Sequence, residues 1–513
     1  MNARAANAPA PARAGRREWL GLAVLALPTL LVSIDIGVLY LALPSLSRAL
    51  DADGVQQLWI MDIYSFLIAG LLVTMGNLGD RIGRRRLLLI GAALFGAASL
   101  LAAFAPTPEL LIAARALLGI AAATISPSTM ALIRNLFTDP KQMGTAFGIW
   151  FACFMGGALL GPLVGGLLLE HFWWGSVFLL GIPVMILLLV AAPFLLPEYK
   201  AANPGRIDLP SVALSLAAIL PAIWGIKELA RSGPDIMPIA AIVLGVGLGV
   251  VFVRRQLRLT DPLLDLRLFA SQVFSTSIVM MLAGGVIMAA ISLVSATYLQ
   301  LVIGLSPLQA GLWLIPHNVV MIIGFQVAPL LARKLPVPNV IAFGLGLGAI
   351  GFGVQVFVTP FTPVWLVAVG LSLASFGMAF PMALLTTLLM AATPPDKAGA
   401  AAAVNETAGE FGIAVGIATL GTLATLVFRL QVGGEFDSLA AALEEAAARG
   451  GELGAQLADA ARAGYSAGYA TVAGIGVAIF VGMAIVALTV LRRPQKELSQ
   501  QTPVTESSPS LGS

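Results

Sequence analysis

The sequence predicts an all-α polytopic membrane protein: two six-helix bundles with two further helices inserted between them, fourteen spans in all. Three observations predict the spans, and a weak internal repeat, with Leu58-Trp59 and Leu312-Trp313 starting corresponding spans, predicts the two halves. The 513 residues are 58% hydrophobic and only 11% charged, with a mean hydropathy of +0.94, more apolar side chain than a water-soluble fold encloses. The apolar segments recur at lengths near the ~20 residues that cross a bilayer's hydrocarbon core. The cations gather at the ends of alternate segments instead of spreading evenly, as the positive-inside rule requires.

In chain order, residues 1–18 form a cytoplasmic tail carrying Arg4, Arg13, Arg16 and Arg17, with no small-residue cleavage context behind the first span. Spans at 19–46, 57–79, 87–105, 109–133, 143–168 and 174–196 make a first bundle over 19–196. The segment 197–271 holds a linker and the inserted spans, 208–226 and 236–253. Spans at 272–299, 307–331, 338–358, 364–390, 400–427 and 467–491 make the second bundle, 272–491. Within it the outer loop 429–466 is Ala-rich and broken at Gly450-Gly451, which predicts a helical hairpin. Residues 492–513, rich in Ser, Thr, Gln and Pro, predict a disordered cytoplasmic tail. With both termini cytoplasmic, the inner segments hold 22 of the 29 cations. Six fall outside (Arg48, Lys227, Arg231, Arg429, Arg449 and Arg462), and Arg115 remains inside a helix. The inner membrane is the expected location.

Several functions are excluded. No G-x-x-x-x-G-K-[ST] occurs, so an ATP-driven engine within the chain is not expected. Two distant histidines and the single Cys153 make no zinc site. No nucleophile–base constellation suggests an enzyme, and the basic residues sit at span ends, not on a nucleic-acid-binding face. No cofactor or metal is expected, and the chain is expected to work as a monomer.

Charges in a bilayer are costly and mark function. Here they are Asp35, Asp62, Arg115, Glu406 and Glu410, with the titratable His317 beside them. Counting rise along each span places Asp35 about 24 Å from the inner face, and Asp62 and Arg115 roughly 7 and 9 Å from the outer face. All three thus share one level, where an acid–Arg pair is expected. Glu406 and Glu410 enter from the cytoplasm to depths of roughly 9 and 15 Å, and as i and i+4 they share a helix face. His317 follows Pro316 midway along its span. A buried acid whose surroundings alternate between water and a cationic ligand can exchange a proton for that ligand. Asp35 beside Arg115 is therefore the expected protonation switch, with Asp62 sharing or gating it and Glu406 and Glu410 offering a second anionic point. A lipophilic cation also needs an aromatic lining, for which Tyr40, Trp59, Tyr64, Trp150, Trp313, Phe376, Phe380 and Phe411 are candidates.

Four motifs carry a family resemblance. GNLGDRIGRRR (76–86) resembles the loop between spans two and three of the major facilitator superfamily, with Gly79 in place of the usual Ala. ARALLGIAAA (114–123) resembles its span-four motif and SIDIGVLYLALP (33–44) its span-one motif. GGALLGPLVGG (156–166) is similar to the span-five motif associated with antiporters. DPLLDLRLF, GLSPLQAGL and NETAGEFG resemble the fourteen-span branch, the drug:proton antiporters. The resemblance implies the major facilitator fold and proton-coupled export of lipophilic cations, including quaternary ammonium compounds and dyes, driven by the proton gradient. An exporter of an endogenous metabolite on the same fold is the alternative. It also implies a conformational latch at Gly76, Gly79, Asp80, Arg81, Gly83, Arg84 and Arg85. The ridge of Gly157, Gly161 and Gly165, with Pro162 and Gly166, would provide close packing and a seal between the halves.

Overall fold

The computed structural model describes residues 14–200, 208–233, 235–259, 262, 266–391, 393, 398–434 and 436–491. The expected disordered tail at 492–513 and most of the N-terminal tail lie outside the described residues. The first bundle comprises α1 (Arg16–Leu50), α2 (Gly54–Ile82), α3 (Arg84–Ala103), α4 (Pro108–Leu136) and α5 (Pro140–His171). Its sixth span is the single turn α6 (Ser176–Leu179) continued by α7 (Gly181–Leu195). The inserted pair is α8 (Leu209–Ser232) and α9 (Ile236–Arg258). The second bundle opens with α10 (Gln272–Thr297), prolonged by a π-helical turn at Tyr298–Val302, then α11 (Pro307–Ala332), α12 (Val337–Gln355) and α13 (Val364–Ala391). It closes with α14 (Ala398–Gly416), a second π-helical turn at Ile417–Gly421, α15 (Thr422–Gln431), α16 (Leu439–Arg449) and α17 (Gly451–Thr489). Fourteen of these helical segments are long and apolar enough to cross a membrane.

Local chemistry sets the boundaries. Asp53 accepts from the Gln56 amide while the Gln56 side chain accepts from the Asp53 amide, a capping box that starts α2. Ser306 and Gln309 repeat the device at α11, where Pro307 occupies the first turn. Lipid is as apolar as leucine, so membrane helices associate through close packing at small residues. A Cβ on Gly377 of α13 would stand 2.4 Å from the Gly344 carbonyl of α12. In the first bundle α1 packs on α5 and α7, and α4 lies between α2 and α3. In the second, α13 packs on α11 and α12, α12 on α17, and α10 on α14. The halves meet along two seams, α5 with α11 and α2 with α14.

Two expectations change. The second arm of the outer hairpin does not stop before the last span: it and that span are one helix, α17, of 39 residues. α16 doubles back on it through Gly450 and Gly451, both at positive φ. The seventh span does not end at 226. α8 continues to Ser232 and carries Lys227, read from sequence as an outer-loop cation, into the protein interior. α8 docks on α2 and α15 beside the second seam, and α9 packs behind it.

Candidate functional site

Arg115 of α4 is buried and engages three groups. Its Nη1 stands 2.7 Å from Asp35 Oδ2 of α1, its Nε donates to the Ile60 carbonyl of α2 at 3.2 Å, and its guanidinium lies 4.4 Å from the Tyr64 ring centroid. In an apolar medium each contact counts for more than in water. Asp35 also borders a hollow inside the first bundle lined by Leu31, Ile34, Phe95 and Phe178.

Asp62 does not join this pair. Ile60 and Asp62 are two residues apart, about 200° around a helix of 3.6 residues per turn, so an α2 that turns Ile60 to Arg115 turns Asp62 away. Asp62 instead pairs with Lys227, Nζ to Oδ2 2.7 Å, with both side chains fully buried. The sequence reading missed Lys227. The available signal was that Glu228, Leu229 and Ala230 continue a helical pattern past 226.

The acids of α14 reach across to the first bundle. Ser126 of α4 donates to Glu406 at 2.5 Å, and Ser65 of α2 lies near Glu410. Tyr40 and Tyr64 each lie within electrostatic reach of both Arg115 and Glu410. The acids expected to form a separate second site thus face the first bundle, Glu406 through Ser126, while Arg115 holds Asp35 and the Tyr64 ring and Glu410 lies within electrostatic range of Tyr40 and Tyr64.

The remaining candidates divide. Phe411 meets Phe66 edge to face at 6.3 Å, and Trp59 covers Lys227 with its ring centroid 3.9 Å from Nζ. Both belong to the α2–α8–α14 seam. Trp150 stacks on Phe154 within α5. Phe380 is fully buried against Gly344 inside the second bundle, and Phe376 packs against it at 5.2 Å. Trp313 is 38% exposed. His317, the titratable candidate midway along its span, bonds to Ser375 at 3.1 Å and Asn318 at 3.3 Å within the second bundle.

Gly83, at φ +112°, turns α2 into α3 with no room for a side chain beside Glu198. Asp80 pairs with Arg84 at 2.7 Å, and Arg85 donates to the Leu196 and Pro193 carbonyls. A Cβ on Gly79 would press on Arg84, whereas Gly76 has only Pro127 at 3.9 Å. Arg81 belongs to the same turn. These ties run within the first bundle, not across to the second half. The ridge of Gly157, Gly161 and Gly165 faces α1, where added Cβ atoms would meet Leu30, Ile34 and Val38. The cross-half contact comes one step aside: a Cβ on Gly166 would stand 2.6 Å from Leu308 Cα, and one on Gly311 would stand 2.3 Å from the Pro162 carbonyl.

The profile of the Major Facilitator Superfamily matches residues 25–417. The multidrug efflux pump LfrA of Mycolicibacterium smegmatis is 41% identical over 94% of this chain and 98% of its own. The methyl viologen resistance protein SmvA of Salmonella typhimurium is 37% identical over 83% and 87%, and the puromycin resistance protein pur8 of Streptomyces alboniger 33% over 80% and 82%. Among solved structures, an inward-facing bacterial homologue of the human lysosomal transporter Spinster superposes with a TM-score of 0.63 at 15% identity, covering 92% of this chain and 98% of that one.

Proposed function

This chain belongs to the Major Facilitator Superfamily as a multi-pass membrane transporter, not an enzyme, and on that premise we propose that it exports lipophilic organic cations in exchange for protons. Cargo enters from the cytoplasm or inner leaflet of the inner membrane, with both termini cytoplasmic, and one chain is the working unit. The observation that carries this reading is the set of charges on α1, α4 and α14. Arg115 neutralises one carboxylate, Asp35, while Glu410 Oε2 is buried with no hydrogen-bond partner among the described residues. The negative charge left over is satisfied either by a proton or by a cationic cargo, and both cannot occupy it together. Tyr40 and Tyr64 supply aromatic faces at the same place.

Alternating access then needs only rocking of the two halves. The halves are in contact at Gly166–Leu308 and Pro162–Gly311, on the side this reading takes as outer, and rocking parts that contact. Opening the outer seam admits protons to the carboxyls and releases the cation. The names of the relatives, a multidrug efflux pump and a methyl viologen resistance protein, support organic cations as the cargo class. The test is ethidium efflux from cells or vesicles with and without an imposed pH gradient, in the natural protein and in Asp35→Asn. Gradient-dependent efflux that falls at least tenfold in the variant is expected. Efflux indifferent to the gradient, or undiminished in Asp35→Asn, defeats the coupling. Gradient-linked activity with no ethidium movement points to a metabolite as cargo.

A further inference from the structure

The acid outside that set stands in a site of its own. Trp59, Asp62 and Phe66 lie along one stripe of α2, facing the first inserted helix. Lys227 Nζ is 2.7 Å from Asp62 Oδ2 and 3.9 Å from the Trp59 ring centroid. Around them Trp59, Phe66, Ile223, Phe411, Ala414 and Ala418 form one apolar group that joins α2, α8, α14 and the π-helical turn. Asp62 Oδ1 has no hydrogen-bond partner. A carboxylate under an aromatic face in apolar surroundings is the chemistry that recognises an organic ammonium ion. Here a side chain of the same polypeptide supplies that ion.

We propose that Asp62 and Trp59 form an organic-ammonium site on the first bundle, and that Lys227 is its tethered, resident occupant. The inserted pair is held against the α2–α14 seam by imitating a cation ligand. Where the chain exports cations, which rests on the reading above, the lysine also keeps free cargo off Asp62 and confines exchange to Asp35, Arg115 and Glu410. Removing the ammonium alone leaves a carboxylate buried without a counter-charge, whereas removing both charges does not.

The test uses purified full-length protein in detergent and propylammonium as the probe, with propanol as its neutral counterpart. In Lys227→Ala, propylammonium is expected to raise the melting temperature saturably by several degrees and propanol is not. Neither additive is expected to move the natural protein or the double variant Asp62→Asn/Lys227→Met. If Lys227→Ala accumulates poorly, propylammonium present during expression and extraction is expected to raise its folded yield several-fold, with no such effect on the double variant. A Lys227→Ala protein indifferent to propylammonium in both measurements, or one that responds equally to propanol, overturns the proposal. The readout is binding, not transport, so the site stands or falls separately from proton-coupled export.

Discussion

Arg115 is the residue on which the central charges depend, because three elements converge on it: Asp35 from α1, and the Ile60 carbonyl and Tyr64 ring from α2. Breaking one side of a buried ion pair costs about 3–5 kcal/mol because the other charge is left without a partner. Arg115→Leu is therefore expected to lower the melting temperature sharply. Arg115→Lys keeps the charge but not the planar fork that reaches Asp35 and Ile60 together, so it is expected to fold and to lose gradient-driven efflux. A Lys variant with full efflux shows that only the charge matters. The Asp35–Arg115 pair was legible in the sequence because both residues lie at one depth when counted from well-marked span ends. The Asp62–Lys227 pair was not. An apolar count ends the seventh span at 226, one residue short of the lysine, and nothing in a linear pattern shows which way Asp62 turns on α2. The meeting of Glu410 with the first bundle was equally hidden, since it depends on how two halves close and not on either helix alone.

Among the elements, α5 and α11 form one seam between the halves through glycine contacts that leave no room for a methyl group. Gly311→Val places a Cβ against the Pro162 carbonyl and is expected to hold the two helices apart. In proteoliposomes without drug, an imposed pH gradient should then decay faster than with the natural protein; an unchanged decay assigns the seal elsewhere. The glycine motif in α5 was readable as a packing ridge, but its three regularly spaced glycines turn to α1, and the seal falls to Gly166 and the Pro162 carbonyl beside them. The inserted pair has its own tie, where Asp208 caps α8 and accepts from Arg255 of α9 at 2.7 Å. Burial works against the Asp208 charge, but hydrogen bonds from Arg255 and Ser211 outweigh it and hold the carboxyl below the ordinary carboxylate range. A lowered folded-state pKa means stability that is present above the unfolded value and lost as pH falls through the folded one. Melting temperatures of the natural protein and Asp208→Asn are therefore expected to differ at neutral and mildly acidic pH and to converge only in strong acid. Convergence already near pH 6 contradicts the tie.

For the whole molecule, the fourteen spans followed directly from hydropathy and charge. The state of closure did not, because the same helices serve every state. On the orientation proposed above, the ends joined at Gly166–Leu308 and Pro162–Gly311 face outward. A cysteine placed at Ser65, beside Glu410, in a Cys153→Ser background is expected to resist a membrane-impermeant thiol reagent applied externally and to react once the halves rock; immediate external labelling contradicts the closed seam. One feature of the final helix reaches further. Its 39 residues run to roughly 58 Å at 1.5 Å each, well beyond the ~30 Å of hydrocarbon, and α16 braces the projecting part. The second bundle thus carries a stiff mast above the bilayer, tipped by the Gly450-Gly451 bend. A fluorophore or compact reporter domain grafted at that tip moves as one body with its bundle, so a rotation of a few degrees at the cargo level becomes a displacement large enough for single-molecule distance measurements to follow each turnover.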